Sequence, residues 1–308
     1  MMLAGVGGCY MEMYSDPIPI PASYTPRTFA PTTSRPEVAV GPYTSAPATQ
    51  PATAPSPAPI DDKTRDQIVV AARAEIIRRF GGDKDPQLGE YLTLVGSLLT
   101  INTANPQTEY EYVLLGSDQP ISAAIWPKTI CLSRGLLRQM EDESELAGVL
   151  AREISNLASA RFLKAAGLPT PPLPAMSAQP STRAATQAAI TAPVSPGQSA
   201  VVHKHAVQLV DLMVKDGLGS EMEQAADLEG ARLAAAARYA PDGFLRLLTR
   251  QMPPTPATAN ASAGWDRIKA LDANVQIIAK AFPHADVKLP ARFEGYVKVG
   301  KSDAAANP

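Results

Sequence analysis

Cysteine and histidine are scarce in this chain, two of the first and three of the second among 308 residues. Two thiols, Cys9 and Cys131, do not make a disulfide framework. The histidines are His203, His205 and His284. The first two are two apart near a helix start, so on a helix they point to different sides; a relocated metal site is the weaker reading beside solvated polar residues. His284 lies in a Pro-flanked turn and reads as surface. Long apolar runs are also missing: nothing reaches the roughly 18 residues that suggest a membrane-crossing helix. The net charge is only −2, and the lysines and arginines form no basic stripe, which argues against a nucleic-acid partner.

Proline, by contrast, is abundant and unevenly placed. Twelve of the 30 prolines fall in residues 11–60 among Ala, Thr and Ser. Such a segment buries too little apolar surface to offset its ordering entropy, so residues 10–60 read as a disordered tether. Residues 168–200 read as a disordered insertion of the same kind, and 253–264 as a short third stretch. What remains is one domain over 61–285, followed by a C-terminal tail, 286–308.

Within that domain the fold class expected is α+β, mainly helical. Ile68, Val69, Ala72, Ile76 and Ile77 recur at helical spacing in Asp61–Phe80, before Gly81-Gly82. Leu88, Leu92, Val95, Leu98 and Leu99 mark a second helix over Pro86–Ile101. Tyr110–Leu115, Ile121–Trp126 and Thr129–Leu132 carry strand formers and predict a small antiparallel sheet. Cys131 on the last of them reads as a packed small hydrophobe. Asp142 is a good N-cap with Glu145 in capping-box position, opening a helix to about Ala165. Further helices are predicted over Val202–Leu218, Glu221–Tyr239, Asp242–Arg250 and Trp265–Phe282.

The most informative segment lies in the middle of the chain: Glu145-Leu-Ala-Gly-Val-Leu-Ala-Arg-Glu-Ile-Ser-Asn156. A zinc-peptidase helix carries H-E-x-x-H because two histidines at i and i+4 share one face, with the Glu as general base. Here the frame is Arg152-Glu153-x-x-Asn156. Alone it is a chance-level pattern; its surroundings make it specific. Leu132-Ser-Arg-Gly-Leu-Leu137, Asp142-Glu-Ser-Glu-Leu-Ala147, the downstream Glu223-Gln-Ala-Ala-Asp227 and the upstream Asp85-Pro-Gln-Leu-Gly-Glu-Tyr91 all fit one pattern. Together they resemble the HtpX/BepA-type zinc metallopeptidases, relatives of the CAAX prenyl endopeptidases, over roughly residues 64–282.

The resemblance implies a gluzincin-like domain with its sheet packed on the active-site helix. It implies that Glu153 stands at the general base, Arg152 and Asn156 at the two histidine ligands, and Glu223 at the third ligand. Asp227 stands at the partner of the first histidine, and Ser122, Ala123 and Ala124 on the edge strand beside the metal where extended substrate pairs. In that strand the family's Asn is Ser122 and its Gly-Gly turn is Lys128-Thr129, with one residue lost. Arg267-Ile268 stands where the family has the Arg-Ile that follows an active-site His-Pro turn, here Met252-Pro253.

Guanidinium offers only donors and keeps its charge, so Arg152 repels zinc; an amide oxygen from Asn156 is a poor zinc ligand. Without a metal to lower the pKa of bound water, Glu153 has no nucleophile to generate. Glu153, Glu223 and Asp227 are either solvated helix carboxylates or buried relics around Arg152. Buried carboxylates need a counter-ion, so the second reading predicts a contact from Arg152 to at least one acid of the pair, with the two helices face to face.

Val6-Gly-Gly-Cys9 has the form of a bacterial lipobox, and a Pro/Thr-rich tether follows it. Residues 1–9 then read as a truncated signal with Cys9 lipidated, although no basic n-region precedes it; the competing reading is a free thiol. Three functions follow: a non-catalytic envelope lipoprotein that binds or scaffolds an extended peptide or envelope protein; an active zinc endopeptidase with an unorthodox site; or a structural helical domain with a closed groove. The first and third require no cofactor, and the membrane is reached only through the lipid.

Overall fold

The computed structural model describes residues 60–171, 196–252 and 259–297, without side-chain detail for 196–198 and 259–263. The lipobox with Cys9, the tether to residue 59, most of the expected insertion, Pro253 and residues 298–308 lie outside the described residues.

Two helices open the domain. In α1 (Asp62–Phe80), Asp61 caps the N-terminus by accepting from Thr64 N at 2.7 Å, and Gly81, at φ 72°, ends it. Helix α2 (Pro86–Thr100) has Asp85 as N-cap and proline in its first turn. Its Leu88, Leu92, Val95 and Leu99 face the core as the periodicity predicted, whereas Leu98, expected on the same face, is exposed. Three short strands follow, β1 (Glu111–Leu115), β2 (Ser122–Ile125) and β3 (Thr129–Ser133), ordered β1-β3-β2.

The sheet is mixed, which corrects the antiparallel expectation. β2 and β3 form the antiparallel hairpin, while β1 runs parallel to β3 with Val113 opposite Cys131. The link over 116–121 carries the chain past β3 to the far edge, so two reversals leave β1 and β3 pointing the same way. Pattern fixed the strands; the sheet order, which no local signal encodes, fixed their direction.

A short helix, α3 (Arg134–Leu137), leads into α4 (Glu143–Ala158), which is buried along nearly its whole length. Asp142 is its N-cap, accepting from Glu145 N at 3.1 Å. The helix stops earlier than predicted. Ala160 adopts a left-handed φ of 48°, and Arg161–Ala165 forms a separate turn, α5.

Helix α6 (Pro196–Asp211) begins inside the stretch expected to be disordered and continues into one π turn, Leu212–Asp216. Next come α7 (Ser220–Ala236), α8 (Gly243–Gln251), α9 (Ala259–Ala281) and α10 (Pro290–Val297). Helix α4 is the hub: α7, α8, α2 and β2 all pack on it, and α9 packs on α7 through Leu271, Val275 and Ile278.

The expected tail is a second correction. Residues 286–297 belong to the domain: Val287 exchanges backbone bonds with Arg238 and Ala240 at 3.1 Å, and Phe293 and Val297 are buried. Tyr296 stacks on Tyr91 at 4.3 Å between ring centroids. An eight-residue helix has too few turns to announce itself by periodicity; its tertiary partners hold it.

Candidate functional site

The close approach of α4 and α7 builds the site, and small residues permit it. A Cβ on Gly230 would sit 2.9 Å from the backbone of Arg152, so only glycine lets α7 lie this near. Gly148 and Gly243 serve the same purpose between α4 and α8, where added Cβ atoms would meet Phe244 N at 2.7 Å and Ser144 O at 2.2 Å.

Arg152 points into this seam with 8% of its surface exposed. Each of its three nitrogens takes a different carboxylate. Nε donates to Asp227 Oδ1 at 3.0 Å, Nη1 to Glu153 Oε1 at 2.7 Å, and Nη2 to Glu223 Oε2. The expected contact is present, and it reaches both acids of α7. Glu223 and Asp227 stand at i and i+4, so they share the face turned toward α4.

Arg267 from α9 also joins the cluster, which its place in the sequence did not announce. Its Nε donates to Asp227 Oδ2 at 2.5 Å and its Nη2 to Asp227 Oδ1 at 2.7 Å, with Glu223 Oε2 at 3.0 Å. Its match to the family's Arg-Ile was the signal to be had. Phe244 lies against both guanidiniums, 5.7 Å from each to the ring centroid, within cation–π range.

The remaining carboxylate oxygens are also occupied. Ser122 Oγ donates to Glu153 Oε1 at 2.8 Å and Asn156 Nδ2 to Glu153 Oε2 at 3.0 Å. The backbone N–H of Leu218 donates to Glu223 Oε1 at 2.9 Å. Every oxygen of the three acids therefore has a donor, as burial demands. Burial works to raise the pKa of Glu223, but the Arg152 and Arg267 charges prevail and hold it below its ordinary value. For Arg152, burial opposes the charge while Glu153, Glu223 and Asp227 more than restore it, so its pKa is raised.

These residues do not fit a zinc ion. The point where the acids converge is taken by a cation that cannot leave without its side chain, and its nitrogens carry protons instead of lone pairs. Of the two positions that the family resemblance matches to histidine ligands, Arg152 offers only donors, and Asn156 already spends its amide nitrogen on Glu153. Asn156 Oδ1 is buried without a partner among the described residues.

The other residues singled out by sequence are scattered. Ser122 reaches the site, whereas Ala123 and Ala124 are buried in β2 beside it. Cys131 is buried in β3, and burial pushes its thiol up to about 12, as suits a packed hydrophobe. His203 and His284 are exposed and His205 half-buried, none in contact with the cluster. Among the described residues no group of three or more His, Cys, Asp or Glu side chains is arranged to hold a metal.

The family model described as Peptidase family M48 matches residues 86–275, well over half of the chain, and this span holds the whole cluster. A Beta-barrel assembly-enhancing protease of Yersinia pestis is 33% identical over 81 residues, or 26% of this chain and 17% of that protein. The protein of the same name from Escherichia coli (strain K12) is 28% identical over 81 residues, with the same shares. The chain thus matches about one sixth of the length of these relatives.

Proposed function

The chain belongs to peptidase family M48, and on that footing we propose that it is a non-catalytic member, a peptide- or protein-binding or scaffolding module of the bacterial cell envelope, held at the membrane through a lipid on Cys9. The observation that carries the reading is Arg152, whose guanidinium contacts Glu153, Glu223 and Asp227 at once. It supplies from within the chain the positive charge that a metal supplies elsewhere, so the helices are bridged with no nucleophile-generating centre between them.

The envelope placement is supported by the Val6-Gly-Gly-Cys9 pattern and by the proteins matched, whose name concerns β-barrel assembly. Among the described residues no helix is long and apolar enough to cross a membrane. In cells, a fatty-acid probe is expected to label a chain carrying a complete signal, and Cys9→Ser to abolish the label; labelling unaffected by the substitution overturns the anchor.

Metal analysis and casein cleavage test the central claim. Purified protein is expected to hold no stoichiometric zinc and to leave casein intact, identically for wild type and Glu153→Gln. Cleavage that disappears in Glu153→Gln overturns the non-catalytic reading. Placing two imidazoles in the frame with Arg152→His/Asn156→His is expected to raise zinc affinity by at least about tenfold, since the loss of even an outer-shell partner of a metal ligand costs that much.

A further inference from the structure

We propose that the chain covers its own edge strand: the segment from Leu212 to Gly219 closes the outer edge of β2 and is pinned shut by Glu223. This deepens the binding-module reading and rests on it only for what happens after opening.

In the order β1-β3-β2, β2 has one side without a strand partner among the described residues. Its pairing tells which groups face that side. Ser133 N donates to Ile121 O at 3.0 Å and Ile121 N to Ser133 Oγ at 2.9 Å, so Ile121 turns its backbone groups toward β3, and in the same phase Ala123 does so opposite Cys131. The N–H and C=O of Ser122 and Ala124 therefore point outward. An exposed row of that kind invites an added strand. Here it is largely closed to water: Ala124 is 2% exposed and Ser122 half-buried.

The π turn Leu212–Asp216 packs against β2. It is not a rigid extension of α6 into α7. Gly217 and Gly219 both have positive φ, 72° and 82°, a conformation that strains residues with a Cβ, and they flank Leu218 as a two-sided joint. The joint is held by the Leu218 N–H on Glu223 Oε1 and by the buried side chains of Met213 and Leu218. The other oxygen of Glu223 is gripped by Arg152 and Arg267. One carboxylate thus couples the charge cluster to the cover, and an extended chain can reach β2 only after the turn swings out on its glycines.

Hydrogen exchange of the full chain tests this. In wild type, Ser122 and Ala124 amides are expected to be protected, and Ala124 to open together with the Gly217 amide, which is bonded to Leu212 O, and more readily than Cys131 in the middle of the sheet. Leu218→Pro removes the locking donor; exchange at Ser122 and Ala124 should speed up roughly tenfold or more while Cys131 is unchanged. Random-coil exchange of Ala124 in wild type, or Ala124 staying slow when the Gly217 amide is freed, overturns the cover. If Leu218→Pro exposes Cys131 as well, the wild-type comparison decides: Ala124 opening only with Cys131 overturns the proposal. Fluorescein-labelled β-casein, an extended chain, should bind Leu218→Pro more tightly than wild type. Binding by neither, with the exchange result intact, removes the binding-module reading and leaves the cover standing.

Discussion

Helix α4 carries buried acid at both its first turn and its middle, and the two places are neutralised differently. At the first turn, Glu143 accepts from Tyr91 at 2.8 Å, Tyr239 at 2.6 Å and Arg292 Nε at 2.5 Å. Glu145 beside it is paired with Arg246 and Arg250. These acids sit at the positive end of the helix dipole, and their arginines are partly exposed, with several donors serving each carboxylate. In the middle of α4 one buried guanidinium, Arg152, serves three acids, of which only Glu223 also lies at a helix start, the first turn of α7, and the partly exposed Arg267 supports just two. Redundancy makes the first cluster tolerant. Concentration on Arg152 makes the second fragile.

The largest expected effect follows from that contrast. Arg152→Ala leaves Glu223 and Asp227 with Arg267 as their only guanidinium and Glu153 with just the neutral Ser122 and Asn156 donors, and chemical denaturation should show a loss of roughly 3–5 kcal/mol, the cost of breaking a buried pair. Arg292→Ala leaves both tyrosine donors on Glu143 and should cost about 1–2 kcal/mol. Equal losses for the two variants would break the comparison.

Packing sharpens it next. Gly230→Ala drives a Cβ into the backbone of Arg152, where no flexible tip can yield. A loss of about 1–3 kcal/mol is expected, partly shared with that of Arg152→Ala in a double-mutant cycle because α7 carries two of the partners.

Acid separates the clusters by their coupling. Glu143 and Glu223 both have pKa values held below the ordinary 4.5: burial opposes this in each, Arg292 and the two tyrosines outweigh it at Glu143, and Arg152 and Arg267 outweigh it at Glu223. A depressed folded value gives stability that is present above the unfolded value and is lost as pH falls through the folded one. Thermal melts should therefore drop below about pH 4.5 in wild type, and Arg152→Ala should flatten the part that belongs to Glu223. An unchanged acid limb in that variant would mean Glu223 draws its shift from elsewhere. The smallest effect belongs to Arg250→Ala: Arg246 remains on Glu145, so a loss of about 0.5–1 kcal/mol is expected by denaturation.

Much of the site is legible in the sequence. The Arg152-Glu153-x-x-Asn156 frame and Glu223-x-x-x-Asp227 each place their residues on one face of a helix by spacing alone, and charge argues that a lone buried guanidinium must find carboxylates. Phe244 is not legible, because an aromatic at the start of an amphipathic helix reads as core. Arg267 is legible only as a matched position; its distance from Asp227 depends on how α9 lies across α7.

The sequence by itself determined what local chemistry can specify: helix and strand periods, the Asp142 cap, and the Arg152-Glu153-x-x-Asn156 frame with no imidazole at either end. Tertiary structure decided the rest. The parallel pairing of β1 with β3, the docking of Pro290–Val297 and the closing of β2 by Leu212–Asp216 depend on contacts between residues far apart in the chain. Such contacts are set by which surfaces remain to be buried once the local elements exist, and no window of sequence contains that information.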